Sequence, residues 1–247
     1  MRAYVNFAAL RIAEVRSDAL GPLDTIAHPL DVGLYRGAVF RGDAHAGDFE
    51  IEVAEGGSGE QVEVDFVHFE QGGGTLQLTG LAPAGQKLYA VFHSSGEATG
   101  YHVSLRDGEK PDEQFDSEKL GKGDYFIFMP MKPGQYVIEG ITKSTAKSGA
   151  KCALEVVEAK PGKAPRASSL GASLLLTDKG FDKKDLRIVS GDGVVVEIDT
   201  KGAVVVAQLK PEKRGGARYP DTPIRYPGRG IADKNSGGAA RQKKHTK

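Results

Sequence analysis

The side chains that could carry redox or metal chemistry in this chain are six histidines, one cysteine, and two methionines that bracket Pro130. A blue-copper site needs two histidines and a cysteine, with a weak axial ligand such as methionine. Cys152 is followed by ALEVVEAKPG, which contains neither histidine nor methionine. The copper ligand set is therefore missing. Cys152, Leu154 and Val156 alternate along one predicted strand face, which indicates a small buried thiol.

The histidines form none of the short spacings that hold metal ions, because HxH, HxxxH and HExxH are all absent. His68, His93 and His102 fall on or near neighbouring predicted strands. Two hypotheses therefore remain: the three histidines form a metal cluster in the folded protein, or they are scattered over its surface. No DxDxDG loop for calcium occurs. We therefore predict no metal site and no cofactor.

The motifs of hydrolytic and phosphate-binding sites are also absent: the chain has no GxSxG, no GxxxxGK[ST] and no GxGxxG. Acids are abundant enough for two carboxylates to meet in space, as glycosidases require. A metal-binding or carbohydrate-active protein therefore stays open as a less favoured reading. We predict a protein that is not an enzyme.

The charges are strongly segregated although the formal net charge is zero. Residues 42–86 contain nine acids and no lysine or arginine. Residues 211–247 contain ten lysines or arginines and three acids, a net charge of +7, so the preceding residues carry −7. An acidic body with a basic tail favours head-to-tail contacts between copies, with an attraction that salt weakens.

We therefore predict that the acidic strands present one acidic β face, and that the basic tail docks on this face of a neighbouring subunit. The predicted partner-binding residues are Asp48, Glu50, Glu52, Glu63 and Asp65 on the acidic strands, and Arg214, Arg218, Tyr219, Arg225, Tyr226, Arg229, Lys243 and Lys244 on the tail.

The elements that position these residues show a period of two, typical of half-buried strands. In DFEIEV the residues Phe49, Ile51 and Val53 share one face, and QVEVDFVHF, TLQLTGL, KLYAVFHS and YHVSL continue the pattern. DYFIFM is apolar on both faces, which predicts a central strand that ends at Pro130. With QYVIEGI and KCALEVV, about eight strands separated by turns predict an all-β sandwich.

Residues 88–157 are similar to immunoglobulin-like or transthyretin-like accessory domains, in which a strand is followed by Pro-Gly-x-Tyr before the next strand begins. Here those residues are Pro133, Gly134 and Tyr136. Such domains mostly bind or connect other molecules, which is what the resemblance implies for this chain.

Composition divides the chain into five predicted parts. Residues 1–40 are an N-terminal arm, because Gly21-Pro22 and His28-Pro29 break regular structure. Residues 41–158 are the sandwich and 159–171 a linker. Residues 172–210 are a small β unit, in which Val194, Val196 and Ile198 pair with the strand at 204–209 in a hairpin. We expect this unit to dock on the sandwich or to complete a sheet in a neighbour. Residues 211–247 are an extended basic tail.

The N-terminal residues carry Arg11 and no uninterrupted apolar run, so they do not resemble a secretory signal. No stretch approaches the ~20 apolar residues of a membrane span. We expect synthesis in the cytoplasm, with a virion or a cell surface as open sites of assembly.

Together these features predict a structural or assembly subunit, a homo-oligomer in a lattice, sheath, filament or virion. The alternative is a binding module whose tail grips nucleic acid or another polyanion, through phosphate neutralisation and stacking on Tyr219 and Tyr226.

Overall fold

A computed structural model describes residues 12–59, 61–108, 114–144, 149–158 and 170–210. These residues form seventeen strands and one four-residue helix, so the chain is all-β as predicted. The elements are β1 (Glu14–Arg16), β2 (Asp24–Leu30), β3 (Gly33–Arg41), β4 (Ala44–Glu55), β5 (Gln61–Asp65), α1 (Val67–Glu70), β6 (Leu76–Ala82), β7 (Leu88–His93), β8 (Tyr101–Asp107), β9 (Gln114–Asp116), β10 (Tyr125–Phe128), β11 (Gly134–Ile141), β12 (Ala150–Val157), β13 (Leu170–Thr177), β14 (Gly180–Phe181), β15 (Asp185–Val189), β16 (Gly193–Asp199) and β17 (Val204–Leu209).

The strands form three sheets. A seven-stranded sheet has the order β14-β13-β16-β10-β2-β7-β5. Two five-stranded sheets have the orders β6-β4-β3-β8-β9, here called the β4 sheet, and β1-β17-β11-β12-β15, here called the β11 sheet. Consecutive strands often enter different sheets, so that β4 pairs in parallel with β6 while β5 pairs in parallel with β7.

The core lies on one face of the seven-stranded sheet, which packs against both smaller sheets. The Phe49 ring of the β4 sheet lies 5.8 Å from the Phe92 ring of β7. On the other side, a Cβ at Gly140 of β11 would lie 2.7 Å from Leu176 of β13, so these two sheets are also in close contact. The buried side chains on this face include Ile26, Leu30, Val64, Leu88, Phe92, Phe126, Phe128, Leu174, Leu176, Val194, Val196 and Ile198.

The structure confirms several local predictions. Each of the eight predicted strands is present, as β4–β8 and β10–β12, and the structure adds the short β9 between β8 and β10. β10 is interior because it pairs with both β2 and β16. Cys152 is fully buried as a free thiol. The eight strands are distributed over all three sheets.

The predicted N-terminal arm contains regular structure from β1 onward, and β2 lies inside the seven-stranded sheet between β7 and β10. Pro29 is tolerated there because β10 begins at Tyr125, which is opposite Ala27. Beyond Ala27, β2 has a neighbour only on the β7 side, so Pro29 occupies a local edge position.

The predicted hairpin between the strands at 193–199 and 204–209 is wrong. β16 pairs with β10 and β13, whereas β17 pairs with β1 and β11, so the turn between them carries the chain from one sheet to another. Alternation gives both strands one buried face, but it does not select a partner strand. Strands from both sides of the predicted linker therefore share two sheets, and most of the linker, residues 159–169, lies outside the described residues.

No helix in the described parts of the chain is long and apolar enough to cross a membrane.

Candidate functional site

Three predicted partner-binding acids lie in a row on the outer side of β4. Phe49, Ile51 and Val53 point into the core and are at most 2% exposed, so the residues between them must face outward. Asp48 and Glu52 are exposed, and Glu50 is partly buried. We call Asp48, Glu50 and Glu52 the β4 acidic row.

The members of the β4 acidic row differ in how far their charge is already compensated. Arg36, opposite Glu50 on β3, donates from Nε to Glu50 Oε1 at 2.9 Å, and Gln77 on β6 donates to Oε2 at 3.0 Å. Asp48 Oδ1 lies 2.9 Å from Nε2 of His45. Glu52 has no ion pair or hydrogen bond from its side chain to any described residue. Glu52 is therefore the most available carboxylate of the row.

The other two predicted acids lie on β5, at the edge of the seven-stranded sheet. Glu63 accepts a hydrogen bond from Gln61 Nε2 at 2.8 Å, and its second oxygen lies 3.8 Å from Nε2 of His93. Glu63 is exposed and Asp65 is partly buried.

Asp65 is held in place by three hydrogen bonds from within the protein. Its Oδ1 accepts hydrogen bonds from the amides of Val67 at 3.1 Å and Ser95 at 3.0 Å, and Oδ2 accepts from the Ser95 hydroxyl. Burial raises the pKa of Asp65, but the hydrogen bonds from Ser95 and Val67 outweigh this and hold the pKa below its usual value. The bond to Val67 also explains why the predicted strand QVEVDFVHF ends at Asp65 and turns into α1.

The five acids do not share one face. β4 and β5 belong to different sheets that pack through their inner sides, so their outward residues point to opposite sides of the molecule. The expected single acidic face is thus divided, and only the β4 acidic row brings three of the predicted residues together. The eight tail residues, Arg214 to Lys244, lie outside the described residues.

The histidines left open as a metal cluster are separated. His68 Nε2 lies 3.1 Å from the Gly74 carbonyl oxygen, and the ring of His102 stacks on Phe40 at 5.0 Å. His93 lies beside Glu63. Among the residues that the structure describes, no group of three or more His, Cys, Asp or Glu side chains is placed to hold a metal ion.

The structure shows a histidine–carboxylate pair that the sequence analysis did not predict. Nδ1 of His28 lies 2.6 Å from Oδ1 of Asp124, a residue that is 1% exposed. The two residues are 96 positions apart, and His28 was assigned to a break before Pro29. His28 alternates with Ile26 and Leu30 on the buried face of β2. This alternation is the sequence signal that could have indicated a partly buried histidine that needs a polar partner.

The described residues define an all-β protein whose most acidic exposed strand is β4. Comparison of the chain with protein-family models, with curated proteins and with solved structures finds no match. The functional proposal accordingly rests on charge and geometry alone.

Proposed function

We propose that the protein is a non-enzymatic structural or assembly subunit, in which the basic segment 211–247 of one copy docks on the β4 acidic row of another. The observation that carries this proposal is the outward-facing row of Asp48, Glu50 and Glu52 together with a segment of net charge +7 in the same chain. Opposite charges on one molecule favour association between copies.

The surroundings of the row support a docking role for it. On its β6 side the neighbouring residues are Gln77 and Thr79, which are uncharged and exposed. Within the described residues, β6 therefore places no basic residue beside the row. On its β3 side Arg36 compensates Glu50, and His45 contacts Asp48, so the Glu52 carboxylate is the one most available to a partner cation.

A peptide of residues 211–247 tests the proposal directly. Its binding to a chain that ends at Lys210 is measured by fluorescence anisotropy at low and high salt, for the wild type, Glu52→Lys and Glu197→Lys. Glu197 is an exposed acid on the outer face of β16, so its reversal is matched in charge but remote from the row. We expect Glu52→Lys to weaken binding roughly tenfold, with little effect of Glu197→Lys.

Two results would count against docking on this row. One is equal weakening by the two charge reversals, which would show a diffuse field effect. The other is a peptide that shows no binding to the protein but binds duplex DNA with a steep dependence on salt. That result would make a polyanion the partner of the tail.

A further inference from the structure

A cleft of about 620 Å³ lies at the C-terminal end of β2. It is bounded by β2, by β8 and β9 of the β4 sheet, and by two turns at residues 119–122 and 201–202. The volume is in the range of small-molecule sites.

His28 is held in one orientation at this cleft. Its Nδ1 donates to the buried Asp124 carboxylate at 2.6 Å, and its ring stacks on Phe115 with the ring centres 4.2 Å apart. The second Asp124 oxygen accepts a hydrogen bond from the Gly121 amide at 2.6 Å. Because Nδ1 is used by Asp124, Nε2 is left for another partner, and no residue in the described ranges hydrogen-bonds to it.

The turns that carry the cleft lysines are fixed to each other. Leu120 and Ala203 exchange two backbone hydrogen bonds of 2.9 Å. The Gly123 amide donates to the Ile198 carbonyl at 2.8 Å, and the Ile198 amide donates to the Asp124 carbonyl at 2.9 Å. The backbone around the cleft is therefore set before any ligand arrives, which lowers the entropic cost of binding.

The described part of the lining carries a positive charge. Among those lining residues, four lysines face two acids, Asp31 and Asp107. Lys87 is paired with Asp31 at 3.3 Å, and Lys122 with Asp199 at 2.7 Å. Lys119 and Lys201 form no ion pair with any residue in the part of the chain that the structure describes.

The lining also has an apolar wall. The apolar lining residues are Leu105 and Phe115, which are almost fully buried, and Pro29, which is partly exposed. A ligand that combines an anionic group with an apolar body would match both parts of the lining.

We propose that this cleft binds a small organic anion. Its phosphate or carboxylate oxygens accept from Lys119, Lys201 and the Nε2–H of doubly protonated His28, and its apolar body lies against Pro29. The site is distinct from the β4 acidic row, which has the opposite charge, and its occupancy does not depend on the docking of the tail.

Isothermal titration calorimetry on the full chain tests this assignment with three probes. Phenyl phosphate and benzoate present the two anionic groups on the same ring, and benzyl alcohol presents the ring without a charge. We expect at least one of the anions to bind clearly more tightly than benzyl alcohol, and the tighter one identifies the preferred group. If neither anion binds better than the alcohol, the proposal is wrong.

Substitutions then place the binding. Lys119→Gln with Lys201→Gln removes two exposed charges and is expected to weaken anion binding roughly tenfold. Lys179→Gln, an exposed lysine in the β13–β14 turn outside the cleft, is the matched control and should change nothing. His28→Gln should also weaken binding, with circular dichroism to confirm folding. If His28→Gln does not fold, the affinities of the lysine variants test the site. Equal anion affinities for the double lysine variant and the Lys179→Gln control would show that the anion does not bind in this cleft.

Discussion

Arg36 and Glu50 lie directly opposite each other on β3 and β4, and the Arg36 guanidinium donates to the Glu50 carboxylate at 2.9 Å. The protein thus compensates the central charge of its own acidic row. Exposed ion pairs of this kind contribute little to stability, typically below ~1 kcal/mol. Their larger effect is on the charge that a partner meets at the surface.

Removing Arg36 should therefore strengthen docking. We expect Arg36→Gln to tighten the binding of the 211–247 peptide by about two- to fivefold at low salt, because Glu50 becomes available to a partner cation. Arg187→Gln is the matched control, since Arg187 forms a similar cross-strand pair with Glu155 at 3.3 Å on the β11 sheet. Anisotropy titrations compare the two variants, and an unchanged or weaker affinity for Arg36→Gln would argue against the row as the docking site.

Asp24 should make the protein less stable as the pH rises. It is 3% exposed; Oδ2 accepts from the Gly21 amide at 3.1 Å, and Oδ1 has no hydrogen-bond partner within the described residues. Burial raises the pKa of Asp24 to about 8. The folded state therefore keeps a proton that the unfolded chain, with an aspartate pKa of about 3.9, has lost. Stability falls between about pH 4 and pH 8 and is then constant with respect to this group.

Asp24→Asn should remove this dependence. We expect the variant to be more stable than the wild type by a few kcal/mol at pH 8 and nearly equal near pH 4. Urea unfolding at pH 4, 6 and 8 measures the difference, with Asp43→Asn as an exposed control. A variant that is less stable than the wild type at pH 8 would show that the Asp24 carboxylate is held favourably in its charged form.

Gly37 should tolerate no side chain. A Cβ at Gly37 would lie 2.1 Å from Cζ of Phe49, whose ring is 1% exposed and packs on Phe92. Because an added Cβ would force the buried Phe49 ring to shift, we expect Gly37→Ala to lower the free energy of unfolding by about 1–3 kcal/mol. Gly74→Ala, where a Cβ would meet no atom within 4 Å, is the control. Equal unfolding midpoints for the two variants would contradict this packing.

Cys152 should be unreactive in the folded protein. Burial raises the pKa of its thiol to about 11, and the nearby carboxylates of Asp185 and Asp182 act in the same direction. At pH 8 the thiolate fraction is then about a hundredfold below that of a thiol with the ordinary pKa of 9.0. Labelling with a disulfide reagent should require unfolding, which is tested by comparing rates with and without denaturant. Fast labelling of the native protein would show that β12 opens locally.

The strand pattern predicted much of the local structure. Alternation in DFEIEV placed Phe49, Ile51 and Val53 inward, and the two apolar faces of DYFIFM predicted an interior strand; both are confirmed. Alternation records which side of a strand is buried, a local property. It does not record which strand lies alongside, because any half-buried strand presents the same backbone groups to a neighbour.

The unpredicted features all depend on that missing information. β4 and β5 belong to different sheets, which divides the expected acidic face. β16 and β17 also belong to different sheets, so they do not form the expected hairpin. β2 was missed because Pro29 is permitted only by the short reach of β10 beside it. The His28–Asp124 pair forms because β2 and the residues preceding β10 become neighbours, and nothing in either segment alone indicates the other.

Sedimentation velocity tests the assembly proposal most directly. The full chain and a chain ending at Lys210 are compared at low and high salt, each with and without Glu52→Lys. The proposal predicts that only the full chain forms large species. These species should dissociate in high salt, and Glu52→Lys should lower the amount that forms. Monomers from both chains under all conditions would contradict self-assembly through the basic tail.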